Sequence, residues 1–186
     1  AGRVLPFRQE SLVCLIAALV LAGRGFQIMW EDEKMILITG GRAQGKRAFW
    51  EKNIASGEGE PSEISGLWIR GGRPGFDECL DSPYVCEFHL FIRRLLLGEP
   101  SLNAPDWVYG TMEKRNGCRL PDREALTERL FKACPGRVLV TDEIGLGIVP
   151  LDPFEREYRE ETGRICCLLA ARSEQVWRVP AAWDRG

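Results

Sequence analysis

Short runs of consecutive apolar residues alternate along this chain with longer stretches of helical spacing. Met35–Thr39 (Met-Ile-Leu-Ile-Thr) is brief, apolar and stopped by glycines, the pattern of a buried strand. Gly66–Arg70 reads as a second strand, ended by Gly71-Gly-Arg-Pro-Gly75. Arg137–Thr141 and Gln175–Val179 read as two more. Between them, Gly45 to about Ala55 predicts a helix, and Ser56–Ser62 a linker. Pro83–Leu97 predicts a helix with Val85, Phe88, Ile92, Leu95 and Leu96 on one side. Gly98–Pro121 is loop-rich. Asp122–Ala133 predicts an amphipathic helix stopped by Cys134-Pro-Gly136. Asp152–Arg172 predicts a long one, with Asp152 as cap and Pro153 in the first turn. Strands alternating with helices predict an α/β domain around a mostly parallel sheet. In such sheets ligands sit at the carboxyl ends of the strands, so Gly40 and Asp142, each just past a strand end, can meet at one site.

Length and composition add bounds. The 186 residues suit one domain, and 45% hydrophobic with 28% charged residues is ordinary for a globular chain. The net charge of −2 supplies no global field toward nucleic acid, and basic residues are scattered, so no nucleic-acid partner is expected. The seven cysteines contain no C-x-x-C pair and there is a single histidine, so zinc of the usual spacing is not expected and the thiols read as reduced.

The candidate chemistry lies in two segments. Gly40, Gly45 and Lys46 fit the phosphate-loop spacing G-x-x-x-x-G-K, and the loop Gly40, Gly41, Arg42, Ala43, Gln44, Gly45, Lys46, Arg47 lies between a strand and a helix. Backbone N–H groups of such a loop surround phosphate, the helix adds its positive end, and Lys46 reaches the outer phosphates. The expected ligand is GTP or ATP, with Mg²⁺. Arg47 occupies the place of the Ser or Thr whose hydroxyl normally meets that magnesium. Three outcomes are open: Arg47 points away and leaves the metal to water and carboxylates, it contacts phosphate itself, or transfer is lost. The second segment is Val140-Thr-Asp-Glu-Ile-Gly-Leu-Gly-Ile-Val-Pro150. Its Asp142 and Glu143 are candidates to hold magnesium through water or to accept a hydroxyl proton.

Residues 1–34 read as an N-terminal extension to a phosphate-loop domain at 35–186. Arg3 and Arg8 precede the apolar run Leu12–Ala22, which is too short to span a bilayer as a helix. It has the look of a secretory signal, but Gly23-Arg-Gly-Phe is a poor cleavage site and a nucleotide-dependent protein finds little substrate outside the cell. The extension is either an added helix or a non-native start ahead of Met35. A cytoplasmic protein without stable membrane insertion is expected.

Together these segments resemble the adenosylcobinamide kinase / adenosylcobinamide-phosphate guanylyltransferase family of cobalamin biosynthesis. Ile36-Leu-Ile-Thr-Gly-Gly is similar to the family's opening strand and loop, and Thr141–Pro150 matches its T-[ND]-E-[VI]-G-x-G-[IV]-V-P segment throughout. Phe154–Arg164 and Glu174-Gln-Val-Trp177 look like its later helix and last strand. Glu78-Cys79-Leu80 is similar to an acidic-Cys-Leu step that the family places after a strand. The resemblance implies a RecA-like P-loop three-layer domain and a homo-oligomer, often a trimer. It implies phosphorylation of the aminopropanol hydroxyl of a corrinoid, adenosylcobinamide, then GMP transfer through a guanylylated histidine. Lys46, Asp142 and Glu143 are the expected catalytic residues, and His89, the one histidine, is the candidate nucleophile although it lies further along than the family's. The alternative is a non-catalytic nucleotide-binding or assembly protein that kept the fold.

Overall fold

The computed structural model describes residues 35–55, 67–110 and 114–180. The extension and the 56–62 linker lie outside the described residues. The central sheet has five parallel strands, β1 (Ile36–Gly40), β2 (Ile69–Arg70), β3 (Tyr84–Cys86), β6 (Val138–Val140) and β7 (Gln175–Val179), in the order β2-β3-β6-β1-β7. From β1 the chain runs to the far edge, returns inward through β3 and β6, and then crosses to β7 on the other side of β1. That reversal puts a topological switch beside β1.

Side chains alternate across the sheet. Leu37, Val85 and Leu139 face one core, packed with α2 (Phe76–Asp81), α3 (Phe88–Leu97), α4 (Arg123–Ala133) and α5 (Pro153–Arg172). Ile38, Tyr84, Val138 and Val140 face the other, where Trp50 of α1 (Lys46–Asn53) and Trp68 close the layer. The result is the three-layer α/β domain expected, of the P-loop class. The long helix begins as read: the Asp152 carboxylate accepts from the Glu155 amide and Pro153 occupies the first turn. Among the described residues no helix is long and apolar enough to cross a membrane.

Two expectations need correction. The helix read over 83–97 is a strand followed by a helix. Tyr84-Val-Cys86 is buried on both faces, so its pattern shows no strand period, and Glu87 in the left-handed region (φ 54°) breaks the chain direction before α3. The Glu78-Cys79-Leu80 step comes after β2, separated from it by the turn at 71–75. It lies in α2, with Cys79 and Leu80 in the core. The loop-rich span contains an antiparallel hairpin, β4 (Lys114–Arg115) and β5 (Cys118–Arg119). Asn116 and Gly117 both have positive φ at its turn, the conformation that Asn-Gly favours.

Candidate active site

The phosphate loop leaves β1 at Gly40, whose φ of 152° and close approach to β7 exclude a side chain. A Cβ there would lie 2.4 Å from the Val179 carbonyl oxygen. Gly45 caps α1 in the left-handed region (φ 70°, ψ 21°), where glycine is unstrained. Between them the Gly41 N–H donates to the Gln44 side-chain oxygen at 2.6 Å. Lys46 is 6% exposed and directs its ammonium back over the loop. It donates to the Gly41 carbonyl at 2.6 Å and the Gly40 carbonyl at 3.3 Å, and lies 2.7 Å from Asp142 Oδ1.

Three successive amides fix the residues that follow β6 between β1 with its loop and α3. Thr141 N–H donates to the Ile38 carbonyl and Glu143 N–H to the Gly40 carbonyl, both at 2.9 Å. Asp142 N–H, pointing the other way, donates to His89 Nδ1 at 3.3 Å. His89 Nε2 is 3.7 Å from Asp142 Oδ2. Both ring nitrogens are therefore turned toward one residue. An amide donating to Nδ1 leaves the neutral ring's proton on Nε2, facing the carboxylate. Burial holds the imidazole below its ordinary value against the opposing pull of Asp142. The Tyr158 hydroxyl fixes the helix at this point by donating to the His89 carbonyl at 3.0 Å.

Glu143 is differently occupied. Its carboxylate accepts from Arg178 Nε and Nη2 at 2.8 and 3.0 Å and from the Thr39 hydroxyl at 3.4 Å. The Arg178 guanidinium holds it below the usual carboxylate range. The glycine-rich loop beyond is clamped from α5. Arg159 donates to the carbonyls of Ile148 at 2.6 Å and of Gly145, and Arg156 to those of Pro150 and Leu151 at 3.0 and 2.6 Å. A cavity of about 370 Å³ opens between the acids and α5, lined by Thr39, Asp142, Glu143, Thr162 and Cys166. The exposed Leu146 also lines it, and further along the loop Ile148 and Leu151 are over nine-tenths exposed.

Of the residues singled out in the sequence, the fold brings Gly40, Gly41, Lys46, Asp142 and His89 to one point. Glu143 lies beside it, tied to Arg178. Arg42 acts on His89 only through its charge. Arg47 turns along its helix, with Nε 3.5 Å from Glu51 Oε1. Sequence reasoning missed the α5 clamps. Their signal was an arginine pair, Arg156 and Arg159, three apart on one helix face just after a glycine-rich loop. It also missed Cys86, which ends β3 and which Arg47 and Arg70 both pull toward ionisation while burial pushes its thiol up.

A sequence model of the family described as cobinamide kinase / cobinamide phosphate guanyltransferase matches residues 106–183. That span includes Asp142, Glu143, the clamped loop and α5, but not the phosphate loop. The chain is 34% identical over 90 residues to the bifunctional adenosylcobalamin biosynthesis protein CobU of Salmonella typhimurium (strain LT2), covering 47% of this chain and 48% of that one. It is 37% identical over 75 residues to the protein of the same name from Escherichia coli K12, covering 40% and 39%. It is 46% identical over 56 residues to the corresponding CobP protein of Pseudomonas aeruginosa, covering 30% and 32%. The chain thus spans about half the length, or less, of the curated relatives it matches. Over its C-terminal part, residues 106–183, the chain is similar to the cobinamide kinase / cobinamide phosphate guanyltransferase family.

Proposed function

We propose that this chain binds GTP or ATP on the phosphate loop and transfers the terminal phosphoryl group to the hydroxyl of adenosylcobinamide. The observation that carries the reading is the 2.7 Å pair between Lys46 and Asp142, which joins the loop to the family's Thr-Asp-Glu segment. An incoming phosphate competes for the ammonium with the Gly40 and Gly41 carbonyls and with Asp142. Once Lys46 turns to phosphate, the Asp142 carboxylate stands beside the transferred group. The acceptor hydroxyl, entering from the 370 Å³ cavity, then bonds the terminal phosphorus. The bond from that phosphorus to the bridging oxygen breaks, the nucleoside diphosphate leaves, and Asp142 accepts the hydroxyl proton. The exposed Ile148 and Leu151 offer apolar contact to the rest of the corrinoid.

His89 serves this site by holding Asp142 in place. With both ring nitrogens on that residue, it must break those contacts to act as a guanylyl carrier, so the phosphoryl step is the reading the geometry favours. A cytoplasmic homo-oligomer is the expected setting.

The donor set does not fit a protein-held magnesium ion. The hydroxyl position carries Arg47, and the neighbouring strand β3 ends in a protonated thiol, a poor donor for a hard ion. Asp142 is engaged by Lys46, and Glu143 is chelated by Arg178. Among the described residues no group of three or more His, Cys, Asp or Glu side chains could hold a metal ion. On this reading Asp142 and Glu143, expected as magnesium ligands, instead face Lys46 and Arg178.

Mass spectrometry of the corrinoid after incubation with adenosylcobinamide and GTP or ATP tests the proposal. A phosphate adduct is expected. A GDP-linked product would mean that His89 or another group carries GMP. An unchanged corrinoid, with nucleotide bound, would refute the kinase reading in favour of a non-catalytic binding protein.

A further inference from the structure

Arg47 is the second residue of α1, one turn-step from Lys46 and at the mouth of the phosphate loop. Its side chain is 49% exposed and, among the described residues, is held by a 3.5 Å pair to Glu51 on the same helix. Exposed pairs of this kind hold a side chain weakly, so little opposes its release. Glu51 keeps a partner when Arg47 leaves, because the Trp68 indole N–H donates to it at 3.1 Å. Arg47 also lies close enough to Cys86 to act on its thiol. Two other cations at the carboxyl ends of the strands, on the opposite edges β2 and β7, are already spent: Arg70 is bidentate to Glu87, with contacts of 2.9 and 2.5 Å, and Arg178 to Glu143. Among the described residues Arg47 directly follows Lys46 and makes no stronger contact than the pair to Glu51, so its guanidinium can move.

Resting on the nucleotide reading above, we infer that Arg47 takes the electrostatic place of a protein-held metal ion: its guanidinium leaves Glu51 and closes on the outer phosphates, so that the loop accepts the metal-free triphosphate. A guanidinium presents paired N–H donors that match phosphate oxygens and carries a permanent charge. It cannot share those oxygens with a magnesium ion at the same position without like-charge repulsion. The site therefore discriminates against the magnesium complex, or at best does not gain from it.

Isothermal titration of the full chain with GTP and with ATP, each in excess EDTA and in excess magnesium, reads this directly. The wild-type protein is expected to bind at least as tightly in EDTA. Arg47→Gln is expected to lose about tenfold or more of the metal-free affinity, the scale of a charged hydrogen bond, and to lose less for the magnesium complex. Arg47→Thr, which restores a hydroxyl, is expected to bind more tightly with magnesium than without. Wild-type binding that tightens tenfold or more with magnesium would overturn the inference, as would an equal loss of both forms in Arg47→Gln. Binding of neither nucleotide under either condition would instead defeat the nucleotide reading itself. Should a variant fail to fold, the wild-type comparison alone decides.

Discussion

Lys46 Nζ and Asp142 Oδ1 meet at 2.7 Å, tying the first turn of α1 to the end of β6. The ammonium is almost wholly buried and the carboxylate 17% exposed, so each depends on the other for compensation. The pair is at once part of the fold and the point where phosphate would enter.

Lys46→Met should therefore cost both binding and stability. Loss of the partner leaves Asp142 facing only His89, at a cost of about 1–3 kcal/mol. The Lys46→Met/Asp142→Asn double variant should recover part of that loss, since the buried charge goes with its partner. Urea unfolding of the two single variants and the double gives the coupling energy. Strict additivity would mean the pair contributes nothing.

Asp142→Asn keeps the shape and can still accept from Lys46, but it cannot take a hydroxyl proton. Phosphoryl transfer should fall about 10²–10⁴-fold while nucleotide affinity changes little. Turnover and binding measured on the same preparation separate the two. Unchanged turnover would remove Asp142 as the base.

His89 should make stability depend on pH. Burial holds its folded-state value below the ordinary 6.5, so below pH 6.5 the unfolded chain binds a proton that the folded one refuses. This contribution to stability is present above 6.5 and is lost as pH falls toward the depressed folded value. It changes by at most about 1.4 kcal/mol per pH unit. Unfolding free energies between pH 5 and 7 should fall with acid in the wild type and be flatter in His89→Gln. Parallel curves would contradict the burial argument.

Arg123→Met should be among the more damaging substitutions remote from the site. Glu161 is fully buried in α5 and accepts both Arg123 Nε and Nη2 at 2.7 Å, with Arg115 3.8 Å away. Removing Arg123 leaves a buried carboxylate short of its main partner, at about 3–5 kcal/mol. Thermal or denaturant unfolding measures it, and a Arg123→Met/Glu161→Leu pair should restore much of the loss.

Much of the architecture can be read from local pattern. β7 spans the residues expected, Gln175–Val179. α5 starts where Asp152 and Pro153 signal it, and β1 runs into the glycine loop as the spacing requires. These features are set by backbone geometry and nearest neighbours, which a run of residues records directly. β3 and α2 were not legible. A three-residue strand buried on both faces shows no period, and a six-residue helix barely completes one.

The sequence by itself determined that a phosphate loop follows a buried strand and that two acids follow another. It also fixed Arg47 where a hydroxyl is usual. Only the tertiary structure decided which of these groups meet. The insertion of β6 between β3 and β1 places Asp142 against Lys46 and brings α3's His89 to its amide. Arg178 on β7 takes Glu143 for itself because β7 pairs with β1 on the side away from β6. Such partnerships depend on strand order and on burial across the sheet, where distant residues share one face, and no local pattern encodes that sharing.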